Sequence, residues 1–211
     1  ALFTHIWILW RLGHYQVPQV PPSDVLQDFF VHFSSEHDLV AVDAAGLLLV
    51  DASIVTVLSK FRFVGLGVAD HPAVVVEDEM LRFIQTLIAR FGFLCWCPNL
   101  RDTPYSLYNS ACHIIAINTF KQALLADTYR HLVPNLCYAC LYDHFIHHLQ
   151  LKRFLKEQKS PGSVSQSEGW GKSYKNQLRL ARAREKFAKA QRLPQHYIKI
   201  LGNVKATSDD E

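Results

Sequence analysis

Two cysteines and three histidines fall within the twelve positions from Cys137 to His148, in the stretch CYACLYDHFIHHLQ. Thiolate and imidazole are ligands that zinc accepts, so a metal centre is the first chemistry to weigh. On a helix, Cys137, Cys140, His144, His147 and His148 follow one another at steps of 3, 4, 3 and 1, which puts most of them along one face. Cys137 and His148 would nevertheless be separated by about 16 Å of helix rise. A zinc ion holds four ligands at roughly 2.0–2.3 Å. One straight helix therefore supplies only a pair, such as Cys140 with His144 or His144 with His148. Cys95, Cys97, Cys112 and His113 could complete a set, but their spacing is not that of a zinc finger. The expectation is that the cysteines are small buried hydrophobes and the histidines edge a helix interface. No metal and no cofactor is assigned.

Other near-motifs fail on their own chemistry. Gly171-Lys172-Ser173 resembles the end of a phosphate-binding loop, but Gln166 stands where that loop needs its leading glycine. Gly65 and Gly67 are followed by Asp70 in place of a third glycine and then at once by Pro72, so a turn is expected at the glycines. Asp209, Asp210 and Glu211 are adjacent on a tail and cannot converge on two metal ions. Glu77, Asp78 and Glu79 suit the first turn of a helix, where acids complement the macrodipole. The chain shows no catalytic constellation, and a non-enzymatic module is the expectation.

The remaining chemistry is that of cations. In KSYKNQLRLARAREKFAKAQRLPQHY, Lys175, Arg179, Arg182, Lys186 and Lys189 are spaced 4, 3, 4 and 3 and form one helical stripe. Arg184 and Arg192 are read as widening it. Leu180, Ala183, Phe187 and Ala190 make an apolar stripe about 100° away, which would dock the helix and leave the cations outward. Such a stripe suits a polyanion, because each neutralised phosphate releases condensed counterions and arginine offers a bidentate fork. DNA or RNA is thus one partner reading. The other is packing against an acidic protein surface, the chain's own or a partner's, with the long side chains lying over apolar ground.

Charge is divided unevenly around this segment. Residues 1–150 hold 8 Lys and Arg against 13 Asp and Glu, a net −5, whereas residues 151–205 hold 14 against 3, a net +11. The last six residues contribute −3.

The elements that must position these groups are mostly helices, in an irregular helical bundle. A helical core domain is expected over 1–158, continuing upstream of residue 1. Ser23 or Asp24 caps a helix bearing Val25, Leu26, Phe29, Phe30 and Phe33. Residues 39–50 suit a buried strand or a buried helix equally, and short strands remain open across 39–76. Asp51 is a plausible N-cap for the run after it. Asp70 and Pro72 open a helix with its apolar period over Val76–Phe91, and Thr103 and Pro104 open another, central to the core, to about Tyr129. Pro134 starts a helix ending near Gln158. A flexible Ser/Gly linker follows over 159–171. The basic amphipathic segment occupies 172–201, its main helix running from about Lys172 to Arg192 and stopping at Pro194. Residues 202–211 form an acidic tail.

A chain of 211 residues with 49% hydrophobic and 19% charged residues has the composition of a folded protein. An odd cysteine count of five, without a spaced framework, points to a reducing compartment, cytoplasmic or nuclear. No membrane association is expected. ALFTHIWILW is too short to span, and Asp43 and Asp51 interrupt the window from Leu39 to Leu58.

The phrases LVDASIVTVL, TPYSLYNSACHIIAINTFKQAL, YDHFIHHL, LRLARAREKFAKAQRLPQHYIKIL and KATSDDE together resemble a multi-copy family of proteins from mushroom-forming fungi (basidiomycetes). The likeness covers most of the chain. It implies a helical fold and descent from mobile elements, and it assigns no activity or binding residue.

Overall fold

A computed structural model describes residues 1–13, 16–61, 74–126 and 137–206. The fold is all-α, and the chain divides into two compact units, residues 1–159 and 160–211. In the first, helix α1 (Leu2–Trp10) is buried on nearly every side. It has no polar face, so its sequence carries no amphipathic signal. Trp10 meets Trp96 edge-on at 5.5 Å, and Phe3 stacks on Phe145 at 4.3 Å. The helix ends at Arg11 in the left-handed region, φ 56°, with Arg11 N–H donating to Ile8 and Leu12 N–H to Trp7. This is the paired-bond C-terminal cap usually built on glycine.

Helix α2 (Ser23–His32) starts after Pro22 and buries Phe29, which with Phe33, Phe91, Phe93 and Tyr108 forms an aromatic cluster. Phe30, on the expected apolar face, is exposed. Helix α3 (Glu36–Ala45) opens with a capping box in which Ser35 and Asp38 satisfy each other's backbone N–H groups, and Gly46 ends it at φ 72°. The expectation that 39–50 is buried holds only for Leu39. Val40, Leu47, Leu48 and Leu49 are exposed. Asp51 does cap the next segment, through Ser53 N–H at 2.8 Å, but as a single 3-10 turn, Ala52–Ile54.

The short strands left open in the sequence are a two-residue antiparallel pairing, β1 (Lys60–Phe61) with β2 (Val74–Val75), in register Lys60 to Val75 and Phe61 to Val74. Asp70 and Pro72, expected to open the next helix, lie outside the described residues. Helix α4 (Asp78–Arg90) begins later than expected because the β-branched Val74–Val75 pairs with β1 instead. Asp78 and Glu79 then occupy its first turn. Met80, Ile84, Leu87 and Ile88 hold the expected helical period and are buried.

Helix α5 (Leu107–Leu125) is the central helix that its all-round apolar composition indicates, capped by Ser106 rather than by Thr103. The connector before it is pinned by a buried amide. Asn109 Oδ1 accepts from Asn99 N–H at 2.9 Å, and Nδ2 donates to the carbonyls of Asn99 (3.1 Å) and Thr103 (2.7 Å). Trp96 Nε1 adds a bond to Cys112 O, and the Tyr108 hydroxyl donates to Cys97 O.

Pro134 lies outside the described residues. From Tyr138 the chain is helical to Lys159: α6 (Tyr138–Asp143), a π-helical segment His144–Gln150, and α7 (Leu151–Lys159).

The second unit is a helical hairpin. Helix α8 (Ser163–Ala190) includes most of the segment read as a flexible linker, so only 160–162 connect, with Gly162 at φ 82°. Extending an existing helix backwards costs only the propensity of each added residue, about 0.5–1 kcal/mol for serine or glycine, with no new nucleus. The basic segment 172–201 is likewise not one helix. The chain turns at Arg192 (φ 54°) and continues as α9 (Gln195–Leu201), followed by a 3-10 turn at Val204–Ala206. The acidic end of the tail, 207–211, lies outside the described residues.

Candidate functional site

Arginine, lysine, alanine and leucine dominate the second half of α8, a composition with high helix propensity. Its end is fixed by the chain turn, in which Arg192 N–H donates to Lys189 O and Leu193 N–H reaches back to Ala188 O. That turn sends α9 back along α8 and decides which face is covered. Ala181 and Ala188 are buried on α8, and Ile198 on α9. Gly202 lies so close to Glu185 that a Cβ there would stand 3.3 Å from Glu185 Cγ.

This arrangement corrects the expected docking stripe. Ala183, Phe187 and Ala190 are exposed, Phe187 by 62%, and Leu180 is only half-buried. The docking face is instead centred on Ala181 and Ala188, one residue further round. Small alanines permit close approach, whereas the bulk of Phe187 made the other stripe look like the buried one. Trp170 and Tyr174, at helical spacing and on the side of Ala181, are exposed as well. Trp170 lies in the run whose Ser/Gly composition reads as a linker, which hides the pair in the sequence. Their i,i+4 spacing in phase with Ala181 was the available signal.

Lys175, Arg179, Arg182, Lys186 and Lys189 all lie on α8 and are exposed. From Lys175 to Lys189 they extend about 21 Å along the axis. Arg192 is exposed just past the helix end. Arg184 does not widen the stripe. It stands about 180° round the helix from it and is half-buried. Lys189 pairs with Glu185 at 2.6 Å, an exposed i,i+4 contact worth a few tenths of a kcal/mol. That is too little to take the stripe out of play.

The cysteine and histidine cluster is dispersed. Cys137, Cys140, His144 and His148 are exposed, and the rings of His144 and His148 stack at 5.1 Å. His147 is half-buried near Tyr142, which is fully enclosed. Among the described residues, no group of three His, Cys, Asp or Glu is placed to hold a metal ion. The reading of cysteines as buried hydrophobes fits Cys112 and fails for Cys137 and Cys140.

A cleft of about 540 Å³ is lined by Trp10, Arg11, Gln19, Cys95 and Cys97 among others. Its Cys97 thiol is a poor nucleophile candidate: burial pushes it up to about 12, and Cys97 Sγ donates to Gln19 O at 3.2 Å. Among the described residues, no helix is long and apolar enough to cross a membrane.

No curated protein and no solved structure matches the chain. A family described as a domain of unknown function (DUF8263) matches residues 155–211, from within α7 to the end of the chain, and so takes in the whole α8–α9 hairpin with its cation stripe.

Proposed function

We propose that the C-terminal hairpin is a non-enzymatic module that binds the nucleic-acid backbone through one face of α8. The observation that carries this reading is the joint exposure of Lys175, Arg179, Arg182, Lys186 and Lys189 on a single rigid helix, with Arg192 at its end. Five aligned cations over about 21 Å match the axial length of about six base pairs, so three to five phosphate contacts are geometrically available. Recognition would be of charge and not of sequence, since phosphate contacts position a protein without reading bases. The resemblance to multi-copy fungal proteins of mobile-element descent fits such a role, as does an intracellular setting, cytoplasmic or nuclear.

A second reading draws on one specific observation. Phe187 is exposed beside the stripe, about 100° round the helix from it, which would suit an acidic protein surface with an apolar pocket.

Electrophoretic mobility shifts of the full chain with duplex DNA, single-stranded DNA and RNA at two salt concentrations test the first reading. Binding should weaken with salt at a log–log slope of roughly −3 to −4 on duplex DNA. Absence of any shift at low salt would leave the protein-partner reading.

A further inference from the structure

We propose that Cys137 and Cys140 form a reversible dithiol–disulfide pair that exchanges electrons with low-molecular-weight or protein disulfides. The pair stands on placement. Cys137 is the N-cap of α6, and its Sγ accepts the Cys140 N–H at 3.3 Å. Cys140 sits three residues on, in the first turn of a helical run that continues to Lys159. The N–H contact holds the Cys137 sulfur against the backbone of Cys140, the residue that bears the second thiol. A disulfide needs its Cα atoms roughly 4.4–6.8 Å apart, a separation that residues three apart in a helical turn provide. Both side chains are exposed, so a substrate disulfide can reach them.

The two thiols are also differentiated. Bonds from the Cys140 thiol and then from its N–H hold the Cys137 thiol below its ordinary range, and the same contact raises Cys140 as the donor. Cys137 is therefore the attacking sulfur and Cys140 the resolving one. Two of the other cysteines are set apart from this chemistry: Cys112 is fully buried and Cys97 is raised by burial.

The steps balance. The Cys137 thiolate attacks one sulfur of the substrate disulfide, whose S–S bond breaks and releases one thiolate, which takes up a proton. A mixed disulfide remains on Cys137. The Cys140 thiol loses its proton and attacks Cys137 Sγ, releasing the second thiol. The substrate disulfide gains two electrons and two protons, and the protein holds one new S–S bond.

The test uses the full chain equilibrated in mixtures of reduced and oxidised glutathione, quenched in acid, alkylated and mapped by mass spectrometry. The expected result is a peptide in which Cys137 and Cys140 lose both alkyl groups together as the mixture becomes more oxidising, while Cys112 stays reduced. In C140S, a glutathione adduct should accumulate on Cys137. In C137S, Cys140 should react at least tenfold more slowly than Cys137 does in C140S. Cys137 should also alkylate faster in the folded chain than in urea. Glutathione adducts on both cysteines without an internal disulfide would overturn the proposal. So would no reaction, equal rates in the two variants, or a Cys137 rate unchanged by urea. The wild-type mapping stands alone should either variant fold poorly.

Discussion

His5 on α1 and Thr119 on α5 meet at 2.8 Å, Nε2 to Oγ1, across 114 positions of sequence. The Thr119 hydroxyl also has the carbonyls of Ile115 at 2.7 Å and Ala116 at 3.2 Å as acceptors for its one proton, an arrangement that favours the His5 tautomer with the hydrogen on Nε2.

Burial lowers the His5 pKa from 6.5 to about 3. The unfolded chain then binds a proton that the folded chain refuses. Stability is complete above pH 6.5 and is lost as pH falls toward 3, by about 1.4 kcal/mol per pH unit for one such group. His113 and His147, also lowered by burial, act in the same direction. Urea unfolding at pH 7.5, 6.5, 5.5 and 5 should show this slope, and H5Q should flatten it. The measured range, pH 7.5 to 5, lies above that in which Asp38, held at about 2 by hydrogen bonds from Ser34 and Ser35, loses its contribution. An H5Q profile parallel to wild type would remove His5 from the account.

Asn109 is the second core group with a measurable role. N109A should cost about 2–4 kcal/mol, because it strands the Asn99 N–H and two carbonyls. N109D should cost at least as much, since a carboxylate cannot donate to Asn99 O or Thr103 O. Chemical denaturation of both variants checks the order.

On the hairpin, the corrected docking face makes a paired prediction. F187A should change stability by less than about 0.5 kcal/mol, since its ring is largely exposed. A188L should destabilise by about 1–3 kcal/mol, because it forces bulk into the closed α8–α9 contact. The opposite ranking would restore the stripe read from sequence.

Charge reversal tests the interface itself. R179E, R182E and K186E combined should abolish binding to duplex DNA at moderate salt while leaving the circular dichroism spectrum helical, as all three side chains are exposed. A triple variant that unfolds would mean the cations are structural.

The legible parts of this fold are those where one face differs from the other. Met80, Ile84, Leu87 and Ile88 declared α4 by period, and the cations of α8 declared their own stripe. Helix α1 stayed hidden because THIWIL is buried all round and has no contrast to show. The end of α1 is obscured by another cause: Arg11 occupies a left-handed position where glycine is the usual signal, whereas the end of α8 is legible from Pro194. The docking face of α8 could not be chosen from sequence, because two alanine-bearing stripes compete and only the turn at Arg192 selects between them. The Ser/Gly run 163–171 reads as a loop by composition alone, and it is helical because it extends the strong helix former that follows it.

The π-helical segment His144–Gln150 has a consequence for how the chain tolerates changes in length. A π turn closes its hydrogen bonds over five residues rather than four, so the segment absorbs one surplus residue without altering the faces on either side. Removing a single residue there would let α6 and α7 fuse into one regular helix, with Tyr142 and Phe154 still directed inward. The same deletion inside α5 would rotate everything beyond it by about 100°. Of the described helices, the run from Tyr138 to Lys159 is therefore the one with a built-in place to lose a codon.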